Sequence, residues 1–376
     1  MQVRLRRALA ACGLAACALA PSLPAHAESA VGGDALATRG TIAARGAGVP
    51  ALPPAISARS FVVADLDTGE VLAARHPHGR NAPASTLKML TAVALLPELD
   101  PTATTVARFN DVNVDGSKVG LVPDTRYSMK TLFESLLMVS GNDAANTLAS
   151  AVGGQAWAVR MMNDTARRLR ALDTVAKNPS GLDATGQVSS AYDLALIARA
   201  GLAMPDFARY VSTLRSSVNA PGAKRFEIYN HNKLLRKYAG ALGVKNGYTV
   251  KARHSYVGAA RRNGHTILVS LMRTETPYPD ATALLDWGFR STGRAIGVGR
   301  LADARDDGAD EQADRSRPLS VAVAEPARTA NGGGRSALML PAGAVVSLTG
   351  GVLLQRRRRR RRWGSSGTLR LRLPVR

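Results

Sequence analysis

The sequence predicts an α/β protein: an antiparallel sheet flanked by helices, with a helical subdomain inserted between its first and last strands. Three observations carry this. Short β-type runs flank a hairpin turn at Asp67-Thr68-Gly69-Glu70, helical patterning fills the middle, and Asn263-Gly264, a favoured hairpin turn, joins two late apolar runs. Strands first, helices next and strands last bring the terminal strands together in one sheet, since each must bury an apolar face against another layer.

Residues 60–66 and 71–74 read as the first strands. Pro83-Ala84-Ser85 then opens a helical stretch over 86–96, and helical patterning continues over 129–139, 143–152, 156–172 and 190–203. Strand character returns at 241–245, 255–261 and 265–272. Residues 28–56, rich in Gly, Ala and Pro without a sustained period, are expected to form a flexible lead. The folded unit is expected over 57–298, long enough to bury a core of its own. No internal repeat is found.

Both ends read as targeting segments. Arg4, Arg6 and Arg7, an apolar run over 8–20 and a small-x-small site at Ala25-His26-Ala27 describe a signal peptide over 1–27. Leu14-Ala15-Ala16-Cys17 also resembles a lipoprotein processing box, so a lipidated Cys17 is the alternative. Plain cleavage removes Cys12 and Cys17, and with these 2 cysteines go disulfides, a thiolate nucleophile and thiolate-ligated metal. Residues 299–336, charged and then Ala-, Pro- and Gly-rich, are expected to be a disordered linker. Residues 337–354 are uncharged and mostly apolar, just long enough to span a bilayer as a helix. Consecutive arginines at 356–362 hold the tail 355–376 in the cytoplasm, so the folded body faces outside the cell membrane. The formal charge of +22 falls to about +9 once the ten arginines of the tail and the three of the leader are set aside. That is an ordinary balance beside an anionic wall or membrane, and an exported protein meets no nucleic acid.

Three short motifs carry the chemistry. In Ser85-Thr86-Leu87-Lys88 the two polar residues are three apart on one helical face, so the Lys88 amine can reach the Ser85 hydroxyl. Serine is a weak nucleophile until a base takes its proton, and a lysine serves once its pKa is lowered. In Ser140-Gly141-Asn142, between two helices, a hydroxyl can relay a proton to a leaving amine and the Asn142 amide can hold a substrate amide. In Lys245-Asn246-Gly247, on a predicted edge strand, Lys245 can meet a carboxylate and glycine lets a ligand approach closely. Each alone is ordinary: a capping serine with a surface lysine, a helix stop, a turn.

In this order the three resemble the active-site motifs of penicillin-binding proteins and serine β-lactamases, Ser-x-x-Lys, Ser-x-Asn and Lys-Thr-Gly. The resemblance runs over about 57–289. The strings Pro83-Ala84-Ser85-Thr86-Leu87-Lys88, Ser140-Gly141-Asn142-Asp143-Ala144-Ala145, Asn178-Pro179-Ser180-Gly181-Leu182-Asp183 and Gly243-Val244-Lys245-Asn246-Gly247-Tyr248-Thr249 are similar to those of the low-molecular-weight D-alanyl-D-alanine carboxypeptidases. The resemblance implies a β-lactamase/transpeptidase-like fold, a peptidoglycan stem peptide ending in D-Ala-D-Ala as substrate, β-lactams as inhibitors, and no metal or organic cofactor. It implies Ser85 as nucleophile, Lys88 as base and Ser140 as proton relay, with the backbone N–H groups of Ser85 and Tyr248 as oxyanion hole. It also implies a substrate site of Asn142, Lys245, Asn246, Gly247, Tyr248 and Thr249, in which Lys245, Asn246 and Thr249 surround the terminal carboxylate. Asn246 stands where the family usually has threonine, and a linker with a spanning helix replaces the usual C-terminal β-domain.

Rival readings use the same residues. A D,D-endopeptidase, a β-lactamase and an inactive wall-binding protein all remain open, although a Glu-x-x-Leu-Asn deacylation segment of class A β-lactamases is missing between the second and third motifs. No His-Glu-x-x-His zinc motif occurs. His76 and His78 lack an evident third metal ligand and read as a solvated loop, and no histidine has a recognisable triad context.

Overall fold

The computed structural model describes residues 30–304 apart from residue 223. The leader 1–27, the linker beyond 304, the apolar run 337–354 and the tail 355–376 lie outside the described residues. Among those described, no helix is long and apolar enough to cross a membrane.

The chain begins with strands β1 (Thr41–Ala43), β2 (Ser60–Asp65) and β3 (Glu70–Arg75). The middle holds α1 (Lys88–Leu95), β4 (Thr104–Val106), α2 (Phe109–Val112), β5 (Arg126–Ser128), α3 (Met129–Met138), α4 (Asn142–Ala151), α5 (Gln155–Arg168), α6 (Ala191–Leu202) and α7 (Pro205–Ser212). A hairpin of β6 (Arg215–Ala220) and β7 (Lys224–Tyr229) and a short α8 (Leu234–Lys237) lead to β8 (Ala241–Thr249), β9 (Arg253–Arg262) and β10 (His265–Thr274). Helix α9 (Pro277–Ser291) and β11 (Gly299–Arg300) close the described chain.

The main sheet is antiparallel in the order β1-β3-β2-β10-β9-β8, with β11 also on β3. First and last strands meet as expected, in register from Ser60↔Met272 to Asp65↔Ile267. Alternate residues of one strand serve two cores. Val62, Ala64, Leu268 and Met272 face the helical subdomain with α1, α3 and α6, while Phe61, Val63, Ile267 and Val269 pack on Leu284, Leu285 and Trp287 of α9. The helices start where the sequence supplies caps: Ser128 Oγ accepts from Thr131 N at 3.2 Å, and Ser190 Oγ accepts from Asp193 N at 3.1 Å. Strand β8 is the free edge of the sheet, and it carries the third motif.

Two boundaries differ from expectation. From residue 30 on, the expected flexible lead belongs to the fold: β1 pairs with β3, Leu36 is buried, and Pro50 O accepts from Trp287 Nε1 at 2.9 Å. An uncovered β3 would otherwise leave an open edge and an exposed end of the α9 core. The fold also runs past 298, since β11 pairs with β3 and Leu301 is buried with its N–H on Gly69 O at 2.8 Å.

Candidate active site

Ser85 lies in a 3-10 turn, Ala84–Leu87, which runs directly into α1. Three residues per turn put Ser85 and Lys88 on one side. The turn is pinned from below: Pro83 O accepts from Thr86 Oγ1 and from Ser255 Oγ on β9, both at 2.6 Å. Lys88 is fully buried. Its Nζ donates to Ser85 Oγ at 3.1 Å, to Asn142 Oδ1 at 2.6 Å and to Ser180 O at 2.5 Å. Burial, and after it the positive charge of Lys245, hold the Lys88 pKa well below the usual lysine range, while Asp143 pulls the other way. Of the three partners only the Ser85 hydroxyl carries a proton to give back once the amine is neutral.

The Ser180 carbonyl arrives on a segment that tolerates no bulk. Gly181 has φ +79° and a side chain there would run into the Ala84 carbonyl. Asn178 Oδ1 gathers Ser180 N, Ser180 Oγ and Gly181 N at 2.8–3.2 Å, and Thr91 Oγ1 on α1 donates to Pro179 O at 2.7 Å. The connecting string around Asn178 therefore shapes the base pocket.

The second motif forms the turn between α3 and α4. Ser140 takes a left-handed φ of 65°, is buried, and its Oγ has no hydrogen-bond partner. Asn142 Oδ1 accepts from Lys88 and its Nδ2 donates to Asp115 O at 2.6 Å, which orients the amide toward the base and leaves a second N–H on Nδ2. Sequence reasoning gave Asp143 no role. Its buried carboxylate accepts from Val119 N, Gly120 N, Leu121 N and Ala144 N at 2.8–3.0 Å and so fixes one wall of the site.

The third motif lies on β8, where Gly247 pairs with Ser255. A Cβ on Gly247 would stand 2.7 Å from Ser85 N, 2.7 Å from Ser255 Oγ and 3.0 Å from Thr86 N, so only glycine lets the edge strand lie against the nucleophile turn. Lys245 is fully buried and its Nζ donates to Asn246 O at 2.8 Å. Burial lowers its pKa to about 7. Asn246, Gly247 and Tyr248 line a cleft of about 790 Å³ together with Lys118, His231 and Ser255. The Tyr248 ring packs on His254, centroids 4.7 Å apart. Thr249 Oγ1 donates to Asp183 Oδ1 at 3.0 Å and accepts from Ala252 N at 3.0 Å, which ties the end of β8 to the Asn178 segment.

His78 is not in a solvated loop. Its Nδ1 lies 2.8 Å from Asp173 Oδ2 and its Nε2 lies 3.1 Å from Val31 O. With Asp173 and Asp193 it forms a cluster whose ligand-type atoms lie within 4.8 Å of one another, and Arg80 and Thr174 hold the two carboxylates from outside. His76 takes no part in this cluster.

Comparisons with known proteins place the chain among relatives of one kind. A family model described as D-alanyl-D-alanine carboxypeptidase matches residues 48–276. The chain is 42% identical over 240 residues to the D-alanyl-D-alanine carboxypeptidase DacB2 of Mycobacterium tuberculosis, covering 62% of this chain and 82% of that one. It is 33% identical over 274 residues to the D-alanyl-D-alanine carboxypeptidase DacD of Escherichia coli, covering 66% and 69%. The crystal structure of a D-alanyl-D-alanine carboxypeptidase from M. tuberculosis superposes with a TM-score of 0.65 at 40% identity, covering 68% of this chain and 99% of that one. The Streptomyces K15 DD-transpeptidase gives a TM-score of 0.61 at 25% identity, covering 64% and 99%.

Proposed function

The chain belongs to the D-alanyl-D-alanine carboxypeptidase family, and on that premise we propose how its residues divide the work of hydrolysing the terminal D-Ala-D-Ala bond of peptidoglycan stem peptides. The observation that carries the reading is Lys88, a wholly buried amine 3.1 Å from the Ser85 hydroxyl. The neutral amine takes the Ser85 proton as Oγ attacks the penultimate D-Ala carbonyl. A C–O bond forms, and the developing oxyanion rests on the backbone N–H groups of Ser85 and Tyr248. Collapse breaks the C–N bond, and the departing D-alanine amine takes a proton passed from Lys88 through Ser140, whose buried Oγ has its hydrogen bonds free for that task. Water then attacks the Ser85 ester with Lys88 again as base, releasing the shortened peptide and restoring the serine.

Lys245 and Asn246 receive the terminal carboxylate. The buried amine has one acceptor, the carbonyl of Asn246, and two N–H groups left for a ligand. Asn246 offers an amide donor in place of the hydroxyl usual at that position. Asn142 orients Lys88 through Oδ1 and keeps a second N–H for the substrate amide, while Thr249 braces the end of β8. β-Lactams, which carry a carboxylate beside a strained amide, acylate Ser85 by the same route. D-alanine release from a pentapeptide ending in D-Ala-D-Ala tests the reading; a protein that releases none while folded refutes it.

The topology belongs to the same proposal. The leader 1–27 directs export, residues 337–354 anchor the chain, and the arginines at 356–362 keep the tail inside. External protease on intact cells then frees an active domain by cutting within 303–334 and leaves the tail protected. A tail open to external protease contradicts it.

A further inference from the structure

The second motif holds a side chain that the reaction above does not use. We propose that Asp143 is a positioning residue for Lys88: it fixes the cleft wall 115–121 against Asn142, whose Oδ1 holds the Lys88 amine.

The wall 115–121 has no helix or strand of its own. It is held at five points by two adjacent residues at the start of α4. Asn142 N donates to Ser117 O at 2.8 Å and Asn142 Nδ2 donates to Asp115 O at 2.6 Å. Asp143 takes Val119 N on Oδ1 at 3.0 Å, and Gly120 N and Leu121 N on Oδ2 at 2.8 and 3.0 Å. Fit is close throughout: a Cβ on Gly116 would stand 2.9 Å from Asn142 Nδ2. The wall in turn decides which way the Asn142 amide faces, because Asp115 O accepts its NH₂ and leaves Oδ1 for Lys88 at 2.6 Å. The chain of contacts thus runs from Asp143 through the wall to Asn142 and on to the base.

Charge supports the same role. Both Asp143 oxygens receive only backbone N–H donors, Ala144 N completing the set at 3.0 Å. Among the described residues no lysine, arginine or histidine forms an ion pair with it, so its field is not spent on a partner of its own. The charged groups acting on the Lys88 amine are Lys245, which disfavours a bound proton, and Asp143, which favours one. A base that is always neutral accepts a proton weakly, and one that is always charged accepts none. Asp143 keeps Lys88 between these limits beside a second buried lysine.

This inference rests on Lys88 being the base, and the experiment separates the two. Acylation by a chromogenic cephalosporin is followed from about pH 5 to 9 in the wild type and in variants, together with KM for a D-Ala-D-Ala peptide. Asp143→Asn is expected to move the acid limb of acylation to lower pH by about one unit and to raise KM. Asp143→Ser, which also removes the charge but keeps an acceptor oxygen, reads the same shift should the amide variant not fold. Gly116→Ala presses on Asn142 Nδ2 and so disturbs the wall and Asn142 together while removing no charge; it is expected to raise KM and to slow acylation at every pH. A folded Asp143 variant whose acid limb superimposes on the wild type overturns the proposal. If the limb persists unchanged in Lys88→Arg, the base assignment fails instead; if it vanishes there and is unmoved by Asp143 variants, only this inference fails.

Discussion

Replacing Gly247 by alanine adds one methyl group at the closest approach of β8 to the nucleophile turn. The new carbon would stand 2.7 Å from Ser85 N and from Ser255 Oγ, against the 3.4 Å at which ordinary van der Waals contact begins. Strand or turn must therefore retreat by about 0.7 Å. The turn cannot give easily, because Pro83 O is held at 2.6 Å by Thr86 and by Ser255 on the neighbouring strand. The strand is the softer side, being paired on β9 alone. Its retreat carries Asn246 and the Tyr248 N–H away from the carbonyl that Ser85 attacks. Misplacement on the ångström scale costs on the order of a hundredfold in a reaction that depends on alignment, so acylation of Gly247→Ala is expected to fall about a hundredfold. The sheet core is untouched, and the melting temperature should drop by only a few degrees, as for a loss of about 1 kcal/mol. Stopped-flow acylation with a chromogenic cephalosporin and a thermal melt read both quantities. Near-normal acylation in a folded variant would show that the glycine contact does not align the site.

Lys88→Arg keeps the charge but offers no neutral base, so acylation should fall by about a hundredfold or more, whereas Lys245→Arg should retain more activity and mainly raise KM for the peptide. Stability should rise with pH above neutrality. The folded-state pKa of Lys245 is lowered to about 7, so between there and the ordinary lysine value the unfolded chain binds more protons than the folded one, and unfolding becomes harder as pH rises. The lowered Lys88 adds in the same direction. Lys245→Met should flatten that rise in melts taken from about pH 7 to 10, and an unchanged slope would remove buried Lys245 as its source. An anionic substrate fragment should bind with proton uptake above neutrality, visible as a buffer-dependent heat in calorimetry; binding heats independent of the buffer would mean that Lys245 is already fully charged.

What the sequence made legible follows from what chemistry demands. Ser85 and Lys88 come together because residues three apart share one side of the turn, and the hairpin β9–β10 was marked by Asn263-Gly264. The join of β2 to β10, across two hundred residues, followed from element order alone. Less legible were side chains whose partners are backbone atoms far away. Asn142 was legible as a site residue, but its partners, Lys88 and the Asp115 carbonyl, were not, since no local pattern announces a carbonyl. The same holds for the bond of Thr249 to Asp183 and for those of Asp143 to the wall amides. Strand β1 is three residues long, too short for periodicity to register, and exists because β3 needs cover. The β6–β7 hairpin is largely polar along its exposed length, but Pro221-Gly222 was a usable turn signal. Helix α9 likewise offered Pro277 at its first turn and an apolar face of Ala281, Leu284, Leu285 and Gly288.

The central claim is that Ser85 becomes the acyl-enzyme. Intact-protein mass spectrometry after brief exposure to benzylpenicillin, followed by peptide mapping, tests it most directly. The account predicts one added penicilloyl group, located on the peptide containing Ser85, with both the adduct and D-alanine release lost in Ser85→Ala. An adduct that persists in folded Ser85→Ala, or maps to another residue in the wild type, would contradict it.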